Sequence, residues 1–456
     1  MAKSHSHRRV SDQRSQIRML AKVHGGRDPR PFEERCALAP DGGALGREGV
    51  ASDGPARVLL VGYNGANNTG SESRLLSIID DVRAVLGEET VITIPSLNPV
   101  NLYRYIEESP TLRVAPIPSI YFSALKRLVK ENDIMLLVEG SCYMDTWTSA
   151  LLWAFLWSTK QAAEQGRPSM AYAVDSGMLS PANLKRVRRD ASRTDLIVTR
   201  TVAAARRLRS NGVSAPIEAT ADTTFTFQMN SGDGDILKRT WPDAAAGVVG
   251  LAPVDFYQWP VVIRPFGRRK NCYRWPYYYS RSRERTAATR RLAEGFAQEA
   301  ERIITEHGRD VALIAMESLD EPLVHRVRDM VSCPDRVKIY SARDYNASEM
   351  LGLLRSLDSL ISSRYHSCVM ASFGGIPMVT IGHDLRTEDL LRDMNIYKSS
   401  FISHLDKDLF AKLRERVDNN LSDPASERAA VQRAHAEHVK RATRNKELFR
   451  SFVETR

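Results

Sequence analysis

From Val58 onward, short apolar runs alternate with stretches of helical period. Val58–Val61 reads as a strand, and Ser71–Leu86 as a helix with Leu75, Leu76, Ile79 and Val82 on one face. Strands are predicted at Thr90–Ile94, Ile134–Val138, Ser169–Val174 and Leu196–Thr199, with a core helix over the tryptophan-rich Trp147–Trp157 and another helix ending near Asn211-Gly212. A second series follows: strand Val248–Ala252, helix Ala287–His307, strand Val311–Met316, helix Pro322–Val331 and strand Val337–Tyr340. It closes on a strand into Ser362, a small-residue helix stopped by Gly374-Gly375, and a strand over Ile376–Ile381. Strands alternating with helices predict parallel sheets covered on both faces. Two doubly wound halves of similar length predict a cleft between them, with ligands at the carboxyl ends of the strands. The expected division is a disordered basic tail over 1–55, one Rossmann-like domain over 56–228, a second over 229–385, and charged helices packing across both over 386–456.

Apolar content of 43% and charged content of 26% over 456 residues are those of a globular protein of more than one domain. The net charge of +10 favours anionic partners: phosphorylated substrates, nucleic acid or an acidic membrane surface. Five cysteines without CxxC or Cys–His spacing read as reduced thiols and offer no zinc site. With a polar N-terminus no secretory leader is expected, and the most apolar window is shorter than the roughly 20 residues that span a bilayer. The expected location is cytoplasmic, with peripheral contact at the inner face of an anionic membrane as an option.

The densest chemistry lies at Ser362, Ser363, Arg364 and His366, where two hydroxyls, a fixed cation and an imidazole fall within five positions. They sit at the start of a helix, whose free N–H groups favour an anion, and the imidazole can move a proton. The competing reading is a core histidine beside an ordinary ion-paired arginine. The loop Gly62–Gly70 between a strand and a helix lacks the Lys of a phosphate loop. Its Asn67 and Asn68, with Glu72, suit sugar hydroxyls, or the loop serves chain reversal alone. Glu139 and Asp145 at a strand end can orient or deprotonate an acceptor hydroxyl, unless Asp145 caps the next helix. Arg200 is either a second cleft cation or a salt-bridged residue at a helix start, and Asp222 fits a turn. The segment 259–286 interleaves arginines with Trp259, Phe266, Tyr273, Trp275 and Tyr277–Tyr279. It reads as a loop over the cleft that binds an acceptor, against a solvated insertion or a single-stranded nucleic-acid platform.

The pattern Ser362-x-Arg364-x-His366, then Gly375-x-Pro377-x-Val379-x-Ile381 and Asp384-x-Arg386, resembles the C-terminal signature of the polysaccharide pyruvyl transferase family. Val58–Ser73, Leu136–Asp145, Asp195–Thr201 and Ala219–Phe225 are similar to further landmarks of that family, in the same order. Three positions depart from it: Ser71 precedes the acidic Glu72, Glu139 interrupts a glycine run, and Thr201 stands where an acid follows the arginine. The resemblance implies a glycosyltransferase-B-like pair of domains, with phosphoenolpyruvate as donor substrate and neither cofactor nor metal. It implies His366 as general acid, with Arg364, Arg200, Ser362 and Ser363 holding the donor. The acceptor would be a glycan or lipid-linked glycan, held by Asn67, Asn68, Glu72, Glu139 and Asp145; no nucleic-acid partner is expected. A nucleotide-sugar transferase on the same scaffold and a non-catalytic glycan-binding protein remain the alternatives.

Overall fold

The computed structural model describes residues 54–456 apart from Ala245 and Trp259. The expected basic tail therefore falls almost wholly outside the described residues, as does the aromatic at 259. Seven strands form one parallel sheet: β1 (Arg57–Val61), β2 (Val91–Ser96), β3 (Leu112–Pro116), β4 (Ile134–Leu137), β5 (Ser169–Val174), β6 (Leu196–Thr199) and β7 (Ile217–Ala219). Their order is β3-β2-β1-β4-β5-β6-β7, so the chain reverses direction across the sheet between β1 and β4. The second parallel sheet contains β8 (Val248–Ala252), β12 (Asp310–Ala315), β13 (Val337–Ser341), β14 (Ser359–Ser362), β15 (Met378–Gly382) and β16 (Phe401–Ser403), in the order β13-β12-β8-β14-β15-β16. Each reversal leaves a crevice at the strand ends. The fold is a pair of Rossmann-like domains.

The central strands are buried on both faces, which is why they read as unbroken apolar runs: Val58, Leu59, Leu60, Leu136 and Leu137 in one sheet, Leu313, Ile314, Leu360 and Val379 in the other. Local chemistry fixes the helix starts. Asn68 accepts from Ser71 N, Thr201 from Ala204 N and Asp384 from Arg386 N. Thr201, which departs from the family pattern, is thus a cap. The final helix, Ala425–Glu454, places Phe449 and Phe452 against the first sheet's core and Val431 and Ala434 against the second's.

The segment expected as a loop is instead a small antiparallel sheet of β9 (Val261–Ile263), β10 (Cys272–Arg274) and β11 (Tyr277–Tyr279), ordered β10-β11-β9. It is pinned across the cleft. Val261 N donates to Trp147 O at 2.8 Å, Arg274 Nη1 to Leu97 O at 2.7 Å, and Tyr277 Oη to Ser119 O at 2.6 Å. We refer to it as the flap.

Candidate active site

The helix Tyr365–Ser372 follows β14, and its second residue, His366, meets the start of the helix Thr69–Leu86 that follows the glycine loop. The approach is close enough to require glycine. A Cβ on Gly70 would lie 1.9 Å from His366 Nδ1. On the other side, His366 Nε2 is 3.5 Å from Asp222 Oδ2 and has no hydrogen bond of its own. Burial, helped by Arg200 and Arg74, holds the imidazole below its ordinary pKa against the pull of Asp222.

Asp222 is the hub beneath. Its Oδ2 accepts from Arg74 Nη1 and Arg200 Nη1, each at 2.8 Å, and its Oδ1 from Thr224 N at 2.9 Å. Burial opposes its ionisation, but Arg74, His366 and Arg200 hold the carboxyl well below the usual range. Arg200 donates through Nε to Asp175 at 2.8 Å and stacks 3.6 Å over the Tyr365 ring. Two guanidiniums and two carboxylates balance in this fully buried set. A proton added to His366 therefore has no free counter-charge there, unless an anion arrives in the cleft.

The cleft wall carries Gly70, Ser71, Glu139, Ser141, Glu317, Ser363, Arg364, His366, His383 and Arg386, and the flap closes it with Val261, Tyr273 and Tyr277. Ser363 Oγ is buried without a partner. Arg364 does not point a free fork at the cleft. Its Nε donates to Asp320 at 2.8 Å, Nη2 bonds the same carboxylate, and Nη1 donates to Glu317 at 3.0 Å. Glu317 also accepts from Tyr63 Oη at 3.3 Å and Asn68 Nδ2 at 3.1 Å, which ties the second domain to the glycine loop.

Several predicted residues stand elsewhere than expected. Arg200 lies under Tyr365, enclosed by the buried charge set rather than in the cleft wall, because two aspartates compensate it. Ser362 turns its Oγ inward to accept from Arg364 N at 2.9 Å, shaping the turn. Glu72 is buried away from the cleft and accepts from Ala347 N at 2.7 Å, a bond between domains. Asp145 accepts from Ser180 N, Ser180 Oγ and Asn183 Nδ2, and Thr148 caps the helix that follows. Asp145 thus holds a neighbouring helix start, stands outside the cleft lining, and does not cap its own helix. Asn67 has positive φ and an unpartnered Oδ1. Asn68 and Glu139 do reach the cleft; Glu139 accepts from Ser71 Oγ at 3.0 Å and from Ser141 N and Oγ.

Three residues of the site escape the sequence reading: Glu317 and His383 in the wall, and the buried Asp320 that holds Arg364. All lie just after a strand of the second sheet, where the strand-end rule applied to Glu139 would have found them. His383 is largely enclosed, T-shaped against Trp147 at 5.2 Å, with neither ring nitrogen hydrogen-bonded. Burial pushes its pKa down to about 4, so it is a neutral imidazole at ordinary pH. The cleft thus offers two neutral imidazoles, an unengaged hydroxyl and carboxylates on both walls, a set suited to moving protons around an anion.

The family model for polysaccharide pyruvyl transferase matches residues 79–384, about two thirds of the chain. The chain belongs to the polysaccharide pyruvyl transferase family. The matched stretch carries Glu139, Arg200, Asp222, Arg364 and His366, while the glycine loop precedes it. The family is one of transferases. Solved structures of similar fold include a putative UDP-N-acetylglucosamine 2-epimerase from Listeria monocytogenes (TM-score 0.58, 11% identity, 88% of this chain and 98% of that one). Others are the S. aureus MnaA–UDP complex (0.55, 10%, 86% and 94%) and sucrose-phosphate synthase from Thermosynechococcus elongatus (0.55, 13%, 88% and 100%). At these identities the likeness is one of fold, and it is the glycosyltransferase-B-like fold. No curated protein sequence matches the chain. Among the described residues no helix is long and apolar enough to cross a membrane.

Proposed function

We propose that this pyruvyl transferase family member moves the pyruvyl group of phosphoenolpyruvate onto two hydroxyls of a sugar in a cell-surface polysaccharide precursor, closing a cyclic ketal. The observation that carries the reading is His366, wedged between Gly70 and Asp222 above a charge-balanced buried set. A doubly anionic donor supplies the negative charge that a protonated His366 lacks, so donor binding and protonation of the acid reinforce each other. His366 then delivers its proton to the donor's methylene carbon, and the enol oxygen stabilises the cation formed at the adjacent carbon. One sugar hydroxyl adds to that carbon, phosphate leaves, and the second hydroxyl closes the ring.

Ser363 and the first-turn N–H groups of the helix Tyr365–Ser372 meet the donor, with Arg364 beside them. Arg200 acts from behind, by fixing Asp222 and the Tyr365 ring. Glu317 already accepts from three side-chain donors and so orients the loop, whereas Glu139 is bonded by one backbone N–H and two side-chain hydroxyls, and the hydroxyls can rearrange. Glu139 takes the acceptor hydroxyl proton. These steps are proton transfers, additions and the loss of phosphate, and none of them calls for a cofactor.

The test is product analysis in heavy water with phosphoenolpyruvate and a panel of lipid-linked glycans. The reading expects acceptor-dependent phosphate release and a ketal whose methyl group carries one deuterium. A parallel arm offers uridine diphosphate sugars. Glycosyl transfer from those, with phosphoenolpyruvate inert, would overturn the proposal in favour of a nucleotide-sugar transferase.

A further inference from the structure

The cleft reading leaves the outer side of the flap unexplained. Between Val261 and Arg283 the sequence contains seven cations and no acid. Of these, Arg268, Arg269, Lys270, Arg281 and Arg283 are exposed, and none of the five has an ion-pair partner among the described residues. Set among them are apolar side chains that a soluble surface ordinarily hides: Phe266 is 85% exposed, Trp275 55% and Ile263 44%. The clustering extends to the first domain. The loop held by the Tyr277–Ser119 bond carries Ile120, and Phe122 opens the helix that follows; both are exposed as well.

Two features make this an edge suited to an apolar phase. Trp275 Nε1 donates to Pro265 O at 3.1 Å, so the ring can leave water without stranding its only donor. The flap is also anchored at Trp147, Leu97 and Ser119, so its tip is presented by a fixed base. Aromatics flanked by unpaired cations match the headgroup boundary of an anionic bilayer, where rings insert and cations stay with phosphate.

We propose that the tip of the flap, with exposed Phe266 and Trp275 and the neighbouring cations Arg268, Arg269 and Lys270, docks the protein onto an anionic lipid bilayer. The flap's inner residues Val261, Tyr273 and Tyr277 line the cleft, so docking sets the cleft mouth beside the membrane. A lipid-anchored acceptor then reaches the site without leaving its leaflet. The docking itself does not depend on the donor being phosphoenolpyruvate.

The experiment is co-sedimentation of the full chain with phosphatidylcholine vesicles, with and without phosphatidylglycerol, across a salt series. Binding is expected only with the anionic lipid and is expected to weaken as salt rises. Each cation near the surface is worth roughly fivefold in partition, so the variant R268E/R269E/K270E should lose at least about a hundredfold. Phe266→Ser with Trp275→Ser should weaken binding while leaving its salt dependence in place. Thermal unfolding like that of the parent establishes that both variants are folded. Failure of the parent to bind either vesicle overturns the proposal. So does equal binding by parent and both variants, which would place the contact on another part of the chain. Tight binding of single-stranded RNA by a parent that ignores vesicles would overturn it in favour of a nucleic-acid partner.

Discussion

Replacing Gly70 with alanine puts one methyl group where the His366 imidazole stands. The added Cβ would lie 1.9 Å from Nδ1, 2.2 Å from Cγ and 2.6 Å from Cε1, whereas ordinary contact begins near 3.4 Å. The ring must retreat by about 1.5 Å, and Asp222 and the Tyr365 ring close off the far side. A misplacement of about 1 Å at a reacting group costs on the order of a hundredfold, so turnover should fall by at least that much. Stability should change little. Overpacking costs about 1–3 kcal/mol, and alanine in place of glycine within a helix returns about 0.5–1 kcal/mol. The assay is acceptor-dependent phosphate release from phosphoenolpyruvate, run beside urea unfolding. Adding His366→Ala to Gly70→Ala should relieve the clash without restoring turnover. A Gly70→Ala protein that works within about threefold of the parent would show that the imidazole's place does not matter, and the reasoning would fail.

Asp222→Asn should cost about 3–5 kcal/mol in denaturant unfolding, because Arg74 and Arg200 lose the carboxylate they share in full burial. Glu72→Gln should leave kinetics unchanged and alter the pH profile of stability. Burial pushes the Glu72 carboxyl from 4.5 up to about 7, against the pull of the Ala347 N–H and Arg104. The native state thus keeps a proton that the unfolded chain loses, and this contribution is present at low pH and lost as pH rises from about 4.5 to 7. Across that window the glutamine variant should gain about 3 kcal/mol on the parent and then hold the gain, as measured by unfolding at several pH values. Arg364→Lys can satisfy Asp320 or Glu317 but not both, so donor affinity should weaken by about tenfold or more, read as the concentration dependence on phosphoenolpyruvate.

The strands buried on both faces were legible because an uninterrupted apolar run has few other homes: Ser169–Val174, Leu196–Thr199 and Val248–Ala252 are each predicted and observed over the same residues. Leu112–Pro116 was missed, since its exposed Arg113 and Pro116 break the apolar run at the sheet's edge. The flap reads as a loop in sequence because its strands are three residues each and Pro265 and Pro276 fall between them. The meeting of His366 with the glycine loop was half legible. The sequence offers both segments and the need for close approach, but only the fold reveals that Gly70 yields its space to an imidazole. Charge pairing was the least legible, because it depends on which carboxylates distant chain segments bring in. Asp320 and Glu317 reach Arg364 across more than forty positions, and Asp175 and Asp222 enclose Arg200 from two loops.

The central claim is that His366 is the proton donor for pyruvyl transfer in this cleft. Its most direct test is the rate of phosphate release from phosphoenolpyruvate at saturating lipid-linked glycan, for the parent and for His366→Ala, with thermal unfolding of both. The account predicts a folded variant whose rate falls by about a hundredfold to ten-thousandfold, the range of a lost general acid. A folded His366→Ala protein that releases phosphate at the parent's rate would contradict it.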